Sequence, residues 1–395
     1  MPSHSVDEAR RLEAQHFIPV VKRHPAVLVE GRGSRVRDTA GREYLDLMAG
    51  WAVCCLGHSH PELVRAIAEQ AGRLMQTTNV FYNEPQLALI DRLAGLSRGA
   101  LPYSFLVNSG TEATEGAIKV AHRATGRAKF VSTEGSFHGR TLGALRLIGN
   151  PKHRDPYAAL LPPPAIVPFD DLEAARRAID DSTAAFFVEP IQGEGGVNVP
   201  REGYLRGLRE LCDARGALLV ADEVQTGIGR TGAPLAVERE GVVPDVVTLG
   251  KGLGGGFPVG AFLVTEAVAR TVQLGDHGTT YGGNPLACAA ANAVLRVVAE
   301  EKLAERAAEL GGRLLERLAA FAREHPERAE SARGRGLLCG LVLRDAERAA
   351  ALPLAALERG VLVNVTAGTV VRFFPALNIP EEDLWSGVEM VLELI

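Results

Sequence analysis

The sequence predicts an α/β fold in which a parallel sheet is covered by helices. Two observations carry this. Between Tyr103 and Thr280, short apolar runs alternate with stretches of helical character, the pattern of strands buried on both faces. After Pro285 the pattern changes to long helices rich in alanine and leucine, followed by isolated apolar runs, as in a smaller α+β domain.

Near the N-terminus, Ala26 to Val29 and Arg35 to Asp38 read as a hairpin, and Thr39, Ala40 and Gly41 turn the chain into Glu43 to Leu47. The pattern leaves open which domain this hairpin packs on. Strands of the main sheet are expected at Ser104 to Val107, Lys129 to Ser132, Ala184 to Val188, Ala217 to Ala221 and Val246 to Leu249. The proline-rich segment Leu161 to Pro164 reads as a surface connection. Leu286 to Ala320 reads as long helices, before the apolar runs Gly336 to Leu343 and Val361 to Val365. No tandem repeat or low-complexity tract is present.

A chain of 395 residues with 46% hydrophobic and 23% charged residues suits one large subunit of closely packed parts, and excludes disordered or fibrous classes. Net charge is −5 with both signs interspersed, so no basic stripe is available for nucleic acid. The five cysteines are an odd number and form no CxxC pair. A zinc site or disulfide framework is therefore not expected, and a reducing compartment fits best. Met1 to Phe17 is polar and charged, and no segment is long and apolar enough to span a bilayer. The expectation is a cytoplasmic protein without a metal or a membrane partner.

Two strand ends carry opposite charges. Ala217 to Ala221 runs into Asp222, and Asp245 to Gly250 runs into Lys251. In open α/β sheets ligands bind beyond the carboxyl ends of the strands, so both side chains are candidates for one site. A desolvated lysine there becomes a nucleophile toward an aldehyde, while a buried carboxylate needs a cationic partner. The ring nitrogen of pyridoxal 5'-phosphate (PLP) would be such a partner, and its protonation lets the ring accept electrons. The alternative is a structural ion pair or two exposed strand caps.

Asn108-Ser109-Gly110-Thr111-Glu112-Ala113 follows a strand and opens a helix. Its first-turn amides and hydroxyls suit a phosphate, although Ser109 or Thr111 also reads as a plain N-cap. Ser136-Phe137-His138-Gly139-Arg140-Thr141 places an aromatic ring, an imidazole and a guanidinium together. Phe137 would stack on a flat cofactor or belong to the core, and His138 would face the cofactor or act as a structural donor. Arg140 suits bidentate binding of a carboxylate. Glu189 to Gly196 places Glu194 on a glycine-rich loop. Gly252 to Gly256 matches neither GxGxxG nor GxxxxGK[ST], which argues against a dinucleotide or P-loop site.

In this order, SGTEA at Ser109, FHGRT at Phe137, EPIQGEGG at Glu189, DEVQTGIGRTG at Asp222, LGKGLGGG at Leu249 and HGTTYGGNP at His277 resemble class III aminotransferases of PLP fold type I. The resemblance runs from Gly31 to Arg372-Phe373-Phe374-Pro375. It implies a large domain, residues 49–288, with a mostly parallel seven-stranded sheet, and a small α+β domain, residues 289–395. Residues 1–48 would pack with the small domain. It further implies a homodimer with its sites at the subunit interface.

For the site, the resemblance implies Lys251 as Schiff-base lysine and general base, with Asp222 at the ring nitrogen and Gln225 at the phenolic oxygen. Phe137 and Val224 would sandwich the ring. Ser109, Gly110 and Thr111 would hold the phosphate, joined by Thr280 of the other subunit. Arg372 would bind the α-carboxylate of glutamate, Glu194 would neutralise Arg372 when an ω-amine is bound, and Arg140 would hold the distal carboxylate.

Gly57-His58-Ser59-His60-Pro61 and Thr78 to Pro85 look most like acetylornithine aminotransferases within the family. That implies transfer of the ω-amino group of N-acetylornithine to 2-oxoglutarate. Transamination of ornithine, succinylornithine, γ-aminobutyrate or carrier-linked lysine is the near alternative, and a PLP aminomutase, racemase or non-catalytic binding protein the more distant one. Trp51 departs from the smaller aliphatic residue expected there and would reshape the entrance for the acyl end.

Overall fold

The computed structural model describes residues 4–160, 162–163 and 165–395; Leu161 and Pro164, the two ends of the expected surface loop, and the first three residues lie outside them. Seven strands form the central sheet: β1 Tyr103–Val107, β2 Lys129–Thr133, β3 Ala165–Val167, β4 Thr183–Val188, β5 Leu218–Asp222, β6 Val246–Leu249 and β7 Gly260–Val264. Their spatial order is β1-β7-β6-β5-β4-β2-β3. All pairings from β3 through β6 are parallel. Strand β7 alone runs antiparallel, to both β1 and β6, so β1 points the same way as the parallel set.

Every residue of β4, β6 and β7 is buried, which requires helices on both faces. On one face the helix Gly110–Thr125 presents Ala113, Ala117, Val120 and Ala121 to Phe130, Phe187 and Phe262. On the other, the helix Tyr204–Arg215 buries Tyr204, Leu205, Leu208 and Cys212 in the main core. The carboxyl ends of β1, β2, β4, β5 and β6 consequently open on one edge, the place where ligands bind in such sheets.

Two strands escape the sequence reading for physical reasons. Strand β3 has only three residues and a partly exposed edge position. Strand β7 follows the run Gly252 to Gly256, which masks its start. The run Val361 to Val365, expected as one strand, is two. Val361–Leu362 pairs in parallel with Glu43–Asp46, while Asn364–Thr366 joins an antiparallel sheet with Val370–Phe373, Leu338–Leu343 and Ala329–Arg335. The N-terminal hairpin forms as Leu28–Arg32 against Arg35–Asp38 and is thus continuous with the C-terminal part of the chain. Arg35 pairs with Asp383 of the last helix at 2.6 Å. The helix Pro285–Glu300 begins with Asn284 as N-cap and Pro285 at its first turn; the 288/289 division expected from the sequence falls inside it.

Between Glu43–Asp46 and the helix Pro61–Ala71 the backbone takes an unusual course. Ala49, Gly50, Trp51 and Ala52 all have positive φ, 45°, 59°, 63° and 63°. Asp46 Oδ1 accepts from the amides of Met48 and Ala49 at 2.8 and 2.9 Å, which fixes entry into this left-handed turn. Ala52 anchors its far end in a cluster with Ile191, Val197, Leu338 and Phe374, leaving Trp51 54% exposed.

Candidate active site

Lys251 leaves β6 through Gly250 and sits at the head of a short 3-10 turn, Lys251–Gly254, with φ of +43°. Its amine has no hydrogen-bond partner among the described residues. Burial pushes the ammonium below the ordinary lysine range; Glu194, and more weakly Glu189 and Asp222, oppose that shift, while Arg372 adds to it. The amine is therefore more easily deprotonated than a surface lysine, as a nucleophile or base requires.

Asp222 ends β5 and is buried. Its Oδ1 accepts from the Val224 amide at 3.0 Å and its Oδ2 lies 2.7 Å from His138 Nδ1. Burial depresses the His138 pKa, but the hydrogen bond and charge of Asp222, together with the charge of Glu189, outweigh it and the net shift is upward. His138 Nε2 is buried without a partner among the described residues. Behind this pair stands Glu189, at the end of β4, which accepts from the amides of Phe137 at 2.9 Å and Gly193 at 3.2 Å. Burial pushes Glu189 up to about 7.

Ser109 caps the helix Gly110–Thr125, its Oγ accepting from Glu112 N at 3.3 Å, so the N-cap reading holds. The amides of Gly110 and Thr111 start that helix. A Cβ on Gly110 would come within 2.6 Å of Val224 Cγ1, so only glycine lets these two segments approach. Thr111 Oγ1 pairs with Thr141 Oγ1 at 2.9 Å. Thr280 is exposed on the turn before Asn284, its carbonyl accepting from Gln76 Nε2 at 2.6 Å.

Arg372, on the strand Val370–Phe373, is fully buried. Its Nη1 meets Glu194 Oε1 at 2.7 Å and Gln225 Oε1 at 3.3 Å, while Nη2 and Nε donate to Asn364 Oδ1 at 2.7 and 3.0 Å. Its guanidinium also covers the Phe374 ring at 4.4 Å. Burial tends to raise the Glu194 pKa, yet Arg372 and Lys251 hold it below the ordinary carboxylate range. Arg140 contrasts with this. It is exposed, has no ion-pair partner among the described residues and lies 5.4 Å from the Phe137 ring centre. Phe137, Arg140, Arg154, Glu194 and Thr366 line a cavity of about 1010 Å³, ample for a small metabolite.

Lys251, Asp222, His138, Val224, Gln225, Glu194, Arg372 and Phe137 thus converge on one edge of the sheet, with Ser109, Gly110 and Thr111 at its side. Glu189, Asn364 and Thr141 escaped the sequence reading. Glu189 opened a quoted motif from which only Glu194 was assigned, and Asn364 is the polar interruption of an apolar run.

A sheet edge with a desolvated lysine, a buried carboxylate and a helix N-terminus has the parts a PLP-dependent transferase of the aminotransferase type requires. The chain belongs to the class III aminotransferase family, whose pattern its residues 18–395 match. It is 50% identical over 377 residues to an acetylornithine aminotransferase of Methanopyrus kandleri, covering 95% of this chain and 96% of that one. A Xylella fastidiosa protein of the same name is 46% identical, covering 97% and 96%. Among solved structures, the ornithine aminotransferase of Toxoplasma gondii superposes with a TM-score of 0.93 at 34% identity, covering 99% of this chain and 95% of that one. The acetylornithine aminotransferase of Elizabethkingia anophelis gives 0.86 at 35%, covering 100% and 99%.

The residues present fit PLP. The Nε2 atoms of His138 and Gln225 are both buried without partners, the Lys251 amine is free, and Asp222 retains lone pairs beyond its two present bonds. The neighbouring Glu223 faces away from this group, with Thr226 Oγ1 and the Val237 amide, at 2.9 Å, donating to its carboxylate.

Burial pushes Glu223 up to about 7 from the ordinary 4.5. The folded state then holds that proton more tightly than the unfolded chain, so its contribution to stability is complete below pH 4.5 and is lost as pH rises through about 7. Glu223→Gln, which mimics the protonated acid, is expected to flatten the fall in stability over that window by at most about 1.4 kcal/mol per pH unit. Denaturant midpoints of the two proteins across the window check this; parallel curves would refute it.

Proposed function

We propose that this enzyme moves the δ-amino group of N-acetylornithine, by way of PLP, to 2-oxoglutarate, giving a semialdehyde and glutamate. The closed Arg372–Glu194 pair beside an unpaired Arg140 carries the reading. A donor whose reacting carbon bears no carboxylate needs Arg372 neutralised, and glutamate needs it free. The identity to acetylornithine aminotransferases supports the acylated donor, whereas the Toxoplasma likeness keeps ornithine as the second reading.

In this proposal the amides of Gly110 and Thr111, with the hydroxyls of Ser109 and Thr111, would hold the phosphate. Asp222, kept in place by His138 and the Val224 amide, would face the ring nitrogen; Gln225 would face the phenolic oxygen, and Phe137 and Val224 would cover the ring. When bound, PLP supplies a ring that accepts electrons from the substrate carbon. Lys251 takes the proton from the δ-carbon of the donor and later returns one to the α-carbon of glutamate. Arg140 binds the carboxylate distant from the reacting carbon in both half-reactions, holding the chain in register over Lys251. Arg372 binds the α-carboxylate of glutamate after Glu194 releases it.

A spectral titration of the holoenzyme with N-acetylornithine, ornithine, succinylornithine, γ-aminobutyrate and lysine tests the donor. The long-wavelength cofactor band is expected to bleach at the lowest concentration with N-acetylornithine. Preference for ornithine would overturn the acyl assignment, and turnover without any oxo acid would favour an aminomutase or racemase.

We also propose a homodimer that shares its sites, with Thr280 completing the phosphate site of the partner. Support comes from the apolar surface along Val80, Phe81, Tyr82 and Tyr281, which are 80%, 66%, 90% and 62% exposed. Sedimentation at twice the chain mass is expected, and a monomer would refute it. No helix among the described residues is long and apolar enough to cross a membrane.

A further inference from the structure

Arg230 is 2% exposed, yet no carboxylate neutralises it among the described residues. Its Nη1 donates to the carbonyls of Leu337, at 3.0 Å, and Pro375, at 2.5 Å. Its own carbonyl accepts from the Leu337 amide at 3.0 Å, and Nη2 has no partner among the described residues. A buried cation satisfied only by carbonyls is unfavourable for stability alone, since an apolar side chain would fill the space without desolvating a charge. Its position suggests what it does instead.

Leu337 immediately precedes the strand Leu338–Leu343, and Pro375 follows Phe374, whose ring lies under Arg372. Those two strands pair with Gly340 opposite Arg372. One guanidinium therefore ties together the adjoining ends of the strand that bears Arg372 and of its neighbour. Gly336 permits the approach: its φ is +56°, and a Cβ there would lie 2.5 Å from the Arg230 carbonyl. On the large-domain side, the segment Asp222 to Gly232 that carries Arg230 also carries Gln225, whose side chain touches Arg372 directly.

We infer that Arg230 is a positioning residue for the carboxylate-binding arginine, fixing Arg372 against the cofactor-binding segment through the carbonyls of Leu337 and Pro375. This rests on the proposal that Arg372 binds the α-carboxylate of glutamate. The residue acts on the half-reaction that uses Arg372, and the amine half-reaction, in which Arg372 is only neutralised, depends on it much less.

The test uses holoenzyme carrying Arg230→Lys or Arg230→Gln, with Arg372→Ala as control, in single-turnover half-reactions with glutamate and with the preferred amine. Glutarate binding and thermal midpoints are measured alongside. In Arg230→Gln, the glutamate kcat/KM is expected to fall about tenfold, mainly through KM, and glutarate to bind about tenfold more weakly, with the amine half-reaction within about twofold of wild type. Arg230→Lys, whose single ammonium cannot match the guanidinium fork, should show a smaller loss of the same kind.

Equal losses in both half-reactions tracking the thermal midpoint, or no loss in either variant, would overturn the inference. So would failure of Arg230→Lys to fold, which would mark a role in the fold as a whole. If Arg372→Ala shows the split and the Arg230 variants do not, this inference alone falls. If Arg372→Ala shows none, the assignment of Arg372 falls and takes the inference with it.

Discussion

Lys251→Ala is expected to lose transamination by about 10⁴-fold or more, because one amine is lost both as nucleophile and as proton carrier. The left-handed turn at the end of β6 aims it into the site, and burial favours its neutral form. Lys251→Arg should fare no better, since a guanidinium retains its charge at any working pH. Borohydride treatment of the wild-type holoenzyme, followed by peptide mass analysis, should place the adduct on the peptide containing residue 251. Substantial activity in the alanine variant, or an adduct on another lysine, would end the account.

Arg372→Ala is expected to cost about 2 to 5 kcal/mol in recognition of glutamate, roughly thirty-fold or more, while harming the amine half-reaction much less. The buried guanidinium presents its charge to Glu194 at 2.7 Å, and a substrate carboxylate would have to take the place of that partner. Removing it deprives glutamate of its anchor and leaves Glu194 facing Lys251, an arrangement the amine donor tolerates. Glu194→Gln is expected to work the other way, impairing the amine half-reaction by leaving Arg372 charged and unpaired. Equal losses of both half-reactions in Arg372→Ala would refute this division of labour.

The sheet was legible because buried parallel strands write themselves as unbroken apolar runs, as at Ala217 to Ala221. Its shortest strand, Ala165–Val167, carries too little of that signal, and its antiparallel member, Gly260–Val264, carries it close behind the glycine run that masks its start. Lys251 and Asp222 stood out because a charge at the end of an apolar strand is conspicuous on its own. The partners that hold Phe137 and Arg372 did not. Glu189 is about fifty residues from Phe137, whose amide it accepts, and Asn364 reaches Arg372 only through strand pairing. Contacts made across strand pairs or between distant segments are products of folding, so spacing within a motif cannot reveal them. Arg230 lay in a quoted motif, but its purpose appears only once Leu337 and Pro375 are brought beside it.

The backward-wound turn at Ala49 to Ala52 limits how this protein can be altered. L-residues resist that winding by about 1 to 2 kcal/mol each, so the loop exists because Asp46 and the cluster around Phe374 hold it at either end. Exchanging Trp51 by itself leaves that framework untouched and samples new side chains at one fixed point. Grafting a neighbouring loop from a relative without its two anchors would instead let the strain unwind. Directed evolution of donor preference should accordingly find single exchanges at Trp51 tolerated and short insertions beside it rejected.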